Sequence, residues 1–190
     1  MRKAILGTVL ALAALLAGAM PAAAINTGCG VGGHGALLQG TADLGPINLG
    51  VDGQAVGGSI FCNYRMGAML LGAAIEGEKV FGDLDTLLGI DTTISAVGRV
   101  GVMPTNNAVL YTGVQHTWIR GAGDSLTAWG VLGGLEVGIA DTPLSVDFRY
   151  THLFVEDVLG PSVDVGGKSV RLGLNWSFYK PSAPAARPLK

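Results

Sequence analysis

The sequence predicts an all-β protein, an eight-stranded antiparallel up-and-down transmembrane β-barrel. Three observations lead there. The chain of 190 residues is 49% hydrophobic and only 14% charged, with 31 glycines and a mean hydropathy of +0.46, whereas a soluble domain carries about 25% charged residues. After residue 24, glycine or polar residues interrupt every apolar run within a few positions, so no membrane helix fits. What remains is period-two alternation in eight segments, separated by loops that are long and short in turn. Lipid admits only helices and closed barrels, because each backbone polar group needs a partner there.

The first 24 residues read as a cleaved signal peptide. Met1-Arg2-Lys3 is a positive start, an apolar stretch follows, and "PAAA" offers a small-residue cleavage site. A retained anchor helix is the alternative, since this stretch could span a bilayer. Loss of Arg2 and Lys3 from the 12 basic residues leaves ten against 14 acidic ones, a balance that argues against a nucleic-acid partner. Residues 25–179 form the expected barrel. Residues 180–190, "KPSAPAARPLK", are Pro- and Ala-rich and basic, and read as an extended, disordered periplasmic tail.

The predicted strands are 28–39, 54–65, 68–80, 92–103, 108–120, 126–139, 144–156 and 169–178, most of them long enough to span when tilted. Between the first two lies the long "GTADLGPINLGVDG", then a tight turn at Met66-Gly67. The long "FGDLDTLLGID" and the short "PTNN" come next, followed by "GAGDS", "ADTP" and the long "DVLGPSVDVGGK". A soluble barrel has no strong reason to keep its long loops at one end. The third strand puts Glu76 and Glu78 on one face, and the fourth sets Ile94, Ala96, Val100 and Val102 against Ser95, Arg99 and Gly101. The sixth sets Trp129, Val131 and Leu135 against Gly130, Gly134 and Glu136. In the seventh, Leu144, Val146, Phe148 and Tyr150 oppose Ser145, Asp147, Arg149 and Thr151. The last, "KSVRLGLNWSF", alternates without a break, with Val170, Leu172, Leu174, Trp176 and Phe178 against Arg171, Asn175 and the serines.

Periodicity does not say which face is inside. With the polar face inward, Glu76, Arg99, Glu136, Asp147, Arg149 and Arg171 form a lumen charge network that shuts the barrel or nearly so, because eight strands leave an interior that side chains fill. The alternative is a narrow polar channel lined by the same residues. Aromatic residues gather at strand ends as two girdles. Tyr64, Tyr111, Trp176, Phe178 and Tyr179 belong to the tight-turn end, and Phe81, Trp118, Trp129 and Phe154 to the long-loop end. Cys29 and Cys62 lie opposite each other if paired residue numbers sum to about 91, and then a lipid-facing cross-strand disulfide joins them; two unpaired cysteines are the alternative. A catalytic grouping of His152 with Ser125 or Ser169 and Glu156 lacks any surrounding motif. No spacing of His, Cys or acidic residues reads as a metal site.

The fragments "GVGGHGALLQG", "GGSIFCNYRMGAMLLGAAIEGE", "RVGVMPTNNAVLYTGVQ", "GGLEVGIADTPLSVDFRYTHL" and "SVRLGLNWSF" follow one another in the order of a known family. The chain resembles the small outer-membrane β-barrel proteins of Gram-negative bacteria, the opacity-protein-like, porin-like group. That resemblance implies an outer-membrane location, no catalytic residues and no cofactor. It implies that Leu174, Trp176 and Phe178 carry the signal read by the barrel-assembly machinery. The roles it offers are structural or surface contact, weak porin and adhesin, with a lipid-modifying enzyme a remote alternative. The expected partners are outer-membrane lipids and lipopolysaccharide, with peptidoglycan a candidate for the tail. Two departures stand out: the chain runs on past Phe178, and Cys62 stands where the family favours an aromatic.

Overall fold

The structure is a computed structural model and describes residues 28–43, 48–86, 89–121, 125–139, 142–155 and 164–178. The expected leader, the tail and Tyr179 lie outside these. The strands are β1 (Gly28–Asp43), β2 (Asn48–Met66), β3 (Met69–Gly82), β4 (Thr92–Thr105), β5 (Ala108–Arg120), β6 (Ser125–Gly138), β7 (Leu144–Val155) and β8 (Asp164–Ser177). Each pairs antiparallel with its sequence neighbours, and β8 returns to β1 to close the barrel. The closing ladder runs from Gly30↔Ser177 to Asp43↔Asp164, so the seam is bonded along its length and no edge is left open.

One end carries tight connections. Gly67, with φ +62°, turns the chain between β2 and β3, and its carbonyl accepts a hydrogen bond from Arg65 Nε at 2.8 Å. The other end carries the two longest connections, 83–91 and 156–163, and the first of them holds a single helical turn, α1 (Asp83–Thr86). Gly82 and Gly89 flank α1 at φ +92° and +66°, conformations that a side chain with a Cβ rarely adopts.

Two expected loops prove shorter than their composition implies. Residues 40–43 and 48–53 of "GTADLGPINLGVDG" belong to β1 and β2, and β8 already begins at Asp164. Glycine and aspartate blur the alternation there, but the backbone ladder needs no particular side chain to continue. The sheet therefore extends past the apolar part of its own strands.

The faces follow the pleat. Leu37, Ile60, Ile75, Val114, Val131, Leu172 and Leu174 point outward and are exposed. Around them, Tyr64, Trp176 and Phe178 mark the tight-turn end, while Phe81, Trp118, Trp129 and Phe154 mark the other. Along β2, ten residue steps separate Tyr64 from Gln54, the partner of Phe81. At the usual strand rise and tilt this is about 25 Å, the height of a barrel's lipid-facing band.

Tyr111 corrects the girdle. It is only 4% exposed and points into the lumen. Tyr111 and Trp118 are separated by an odd number of positions on one strand, so they cannot share a face. Trp118 is outside and Tyr111 is inside.

The interior is layered. Leu70, Val97, Met103, Val109, Tyr111 and Leu132 form an apolar cluster toward the tight-turn end. Ala36, Ala55 and Val80 form a second toward the long-connection end, with Leu38, Leu84 and Ile90 packed on it. Charged and polar side chains fill the space between.

Candidate functional site

The middle of the lumen is built from two interlocking triads. On the neighbouring strands β7 and β8, Arg149 and Arg171 are direct partners, and two like charges so placed repel. Glu76 of β3 reaches across the barrel to both. Its Oε2 accepts from Arg149 Nη1 at 2.9 Å and from Arg171 Nη1. The second triad inverts the signs. Glu136 of β6 and Asp147 of β7 are direct partners, and Arg99 of β4 answers them. Arg99 Nη2 lies 2.8 Å from Glu136 Oε2, and its Nη1 lies 4.0 Å from Asp147 Oδ1.

The triads are joined in the centre. Arg149 Nη2 lies 3.8 Å from Asp147 Oδ2. The Tyr111 hydroxyl donates to Asp147 Oδ1 and accepts from Arg149 Nε at 3.4 Å. The Arg99 guanidinium stacks 4.9 Å from the Tyr111 ring centroid. Neutral groups complete the shell: Asn63 accepts from Arg99 at 3.0 Å, and Ser145 donates to Glu136 at 2.6 Å. All six charged residues are buried, Asp147 completely. Taking an ion out of water costs several kcal/mol even after relaxation. Three guanidinium groups against three carboxylates, each within reach of an opposite charge, offset that cost and leave no net charge in the network.

The six residues expected in the lumen are thus brought together. Tyr111 and Asn63 are members that sequence reasoning missed. For Tyr111 the signal was its even spacing from Gln115 and Thr117, both buried. Its ring also needs the glycine opposite it: Gly134 is its cross-strand partner, and a Cβ there would come 2.5 Å from Tyr111 Cζ. Toward the long-connection end, His34 Nε2 meets Glu78 Oε1 at 2.8 Å.

Cys29 and Cys62 are direct partners of β1 and β2 and are joined by a disulfide on the outer face. Leu174, Trp176 and Phe178 lie on the exterior of the last strand and just beyond it, Phe178 being 70% exposed. Of the grouping around His152, the His152 ring meets the outward Phe154 edge-on at 4.6 Å and Ser169 lines the lumen, so these two are not brought together, while the Ser125 side chain and Glu156 lie outside what the structure describes. Among the described residues, no cluster of three or more His, Cys, Asp or Glu side chains is placed to hold a metal ion.

No family model matches the chain, and no curated protein matches it. Solved structures do. Neisserial surface protein A (NspA) superposes with a TM-score of 0.54 over 80% of this chain and 98% of its own, at 16% identity. Ail, the attachment invasion locus protein of Yersinia pestis, aligns over 80% of this chain and 100% of its own, at 15% identity and a TM-score of 0.44. With the closed eight-strand topology and the outward apolar faces, the likeness to NspA establishes that this chain has the fold of the small outer-membrane β-barrels of Gram-negative bacteria.

Proposed function

We propose that this protein is an outer-membrane barrel with a structural or surface-contact role, and that its lumen is closed to solutes by the charge network. The observation that carries this reading is Glu76 bridging from β3 to Arg149 and Arg171 on the opposite wall. A continuous pore has no room where side chains from opposite walls bond to one another. The network presents no surplus charge to an ion, and it holds no catalytic grouping.

The rest of the reading follows from location. The exposed aliphatic band and its aromatic borders suit outer-membrane lipid, and the strand ends beyond them suit the headgroup layer of lipopolysaccharide. The signal peptide predicts a mature N-terminus at Ile25, which N-terminal sequencing of the exported chain reads directly. Leu174, Trp176 and Phe178 would engage the barrel-assembly machinery, and the basic tail would lie in the periplasm near peptidoglycan.

The deciding experiment is single-channel recording in planar bilayers at neutral pH. The wild-type barrel is expected to be silent, and the Arg149→Ala/Arg171→Ala variant to open. Steady, ion-selective steps in the wild type would make the protein a small-solute porin and end the closed-lumen reading.

A further inference from the structure

The hairpin of β1 and β2 is the most glycine-rich in the barrel, with glycine at 28, 30, 32, 33, 35 and 40 of β1 and at 50, 53, 57 and 58 of β2. In its middle the ladder sets Gly33 against Gly58, His34 against Gly57 and Gly32 against Ser59. Glycine has no side chain to hold a register, and glycine-rich strands are prone to slip. Yet this register carries the closing seam, since β8 pairs along β1 from Gly30 to Asp43. The covalent tie across the hairpin is the Cys29–Cys62 disulfide, between direct partners of the ladder. A slip of one residue would turn one of the two sulfurs toward the lumen, so the bond fits the register that the barrel uses and not its neighbours.

Both cysteines are exposed on the outer face, and the aromatic border of the tight-turn end flanks them. Phe178 continues β8 at the level of Cys29, whose carbonyl accepts from the Phe178 N–H at 2.9 Å. Trp176 lies two residues before Phe178, and Tyr64 lies two residues beyond Cys62 on the side away from the apolar band. All three aromatic residues are more than half exposed. At the usual strand rise and tilt, Cys62 sits about 5 Å inside the level of Tyr64. Thiol–disulfide exchange needs a thiolate to reach the sulfur, and bringing a charge into an apolar medium is costly.

Resting on the outer-membrane reading above, we propose that the Cys29–Cys62 bond is made before the hairpin enters the membrane, by a soluble periplasmic oxidant carrying a reactive protein disulfide, and that lipid then shields it from exchange. One cysteine thiolate attacks the oxidant's disulfide and forms a mixed disulfide. The other cysteine attacks the first and displaces the oxidant. Two electrons pass to the oxidant, which leaves as a dithiol with the two thiol protons on its sulfurs. The product is a hairpin locked in register, on which β8 closes.

The test compares the mature chain unfolded in urea with the same chain assembled in lipid vesicles. A water-soluble phosphine breaks the bond, an oxidised thioredoxin-fold protein makes it in the reduced chain, and a maleimide-polyethylene glycol counts free thiols after denaturation. Both reactions should run at least about tenfold more slowly in the assembled barrel, because exchange requires access to the sulfur. The oxidised chain should assemble several-fold faster than the reduced one, followed by heat-modifiable mobility. A reduced chain that does not assemble at all would support the lock, and reduction of the bonded barrel then decides the shielding. Equal exchange rates in the two states, or equal assembly rates of oxidised and reduced chain, would overturn the proposal. If brominated lipid quenches the tryptophans in that case, the outer-membrane reading stands; absence of quenching would end both.

Discussion

Removing the Glu76 side chain should be among the most damaging single changes available in this barrel. Glu76→Ala leaves Arg149 and Arg171 adjacent on β7 and β8, both buried and both turned toward a carboxylate that is gone. Because the two guanidinium groups shared one oxygen, they stay roughly 5 Å apart unless they move. At an effective dielectric of about 20 their repulsion is near 3 kcal/mol. Breaking a buried ion pair from one side costs about 3–5 kcal/mol, and we expect a loss in that range. Replacing the whole triad, Glu76→Leu with Arg149→Met and Arg171→Met, should recover most of the loss, since a well-packed apolar substitute is often neutral or better. The assay is reversible urea unfolding in lipid vesicles, followed by tryptophan fluorescence and by heat-modifiable mobility. A cost below about 1 kcal/mol for Glu76→Ala, or a triple variant no more stable than Glu76→Ala alone, would refute the account of the lumen as mutually dependent charges.

Three further outcomes are expected. Gly134→Ala drives a methyl group into the Tyr111 ring and should cost about 1–3 kcal/mol by overpacking; pairing it with Tyr111→Ala should relieve part of the cost, and urea midpoints of the single and double variants measure this. Cys29→Ser with Cys62→Ser removes a cross-link spanning 33 residues and should lower stability by about 2–4 kcal/mol, seen equally when the wild type is unfolded under reducing conditions. At the barrel's outer end, the hydrogen bond from Lys79 Nζ, at 3.2 Å, holds the Asp91 carboxyl below the usual carboxylate range. Its small contribution is present above the unfolded pKa and is lost as pH falls through the folded one, so Lys79→Ala should move the Asp91 midpoint upward in an NMR titration.

Much of the barrel was legible because alternation and turn chemistry are local properties. "KSVRLGLNWSF" shows which residues share a face without reference to any other strand, and the register that joins Cys29 to Cys62 needed only the idea of a hairpin. Partners across the lumen were another matter. That Glu76 would meet Arg149 and Arg171 depends on closure between β8 and β1 and on the relative heights of strands that never touch. No short stretch encodes either quantity. Tyr111 failed for a different reason. Its position near a strand end suggested the membrane border, and that outweighed the parity that Gln115 and Thr117 displayed. The strand extensions at 40–43 and 48–53 were hidden because glycine and aspartate carry turn signals even where backbone pairing continues.

Those extensions bear on what can reach the protein from outside. Below Gln54, β2 accounts for the apolar band; above it, residues 48–53 continue as paired sheet. At the same rise and tilt they carry the paired strands about 15 Å further, roughly the depth of a lipid headgroup layer. In an outer membrane, a contact made along residues 48–53 would fall at headgroup depth and would meet a hydrogen-bonded ribbon. A partner of that ribbon would have to be slender enough to pass between headgroups, or would have to recognise ribbon and lipid as one composite surface.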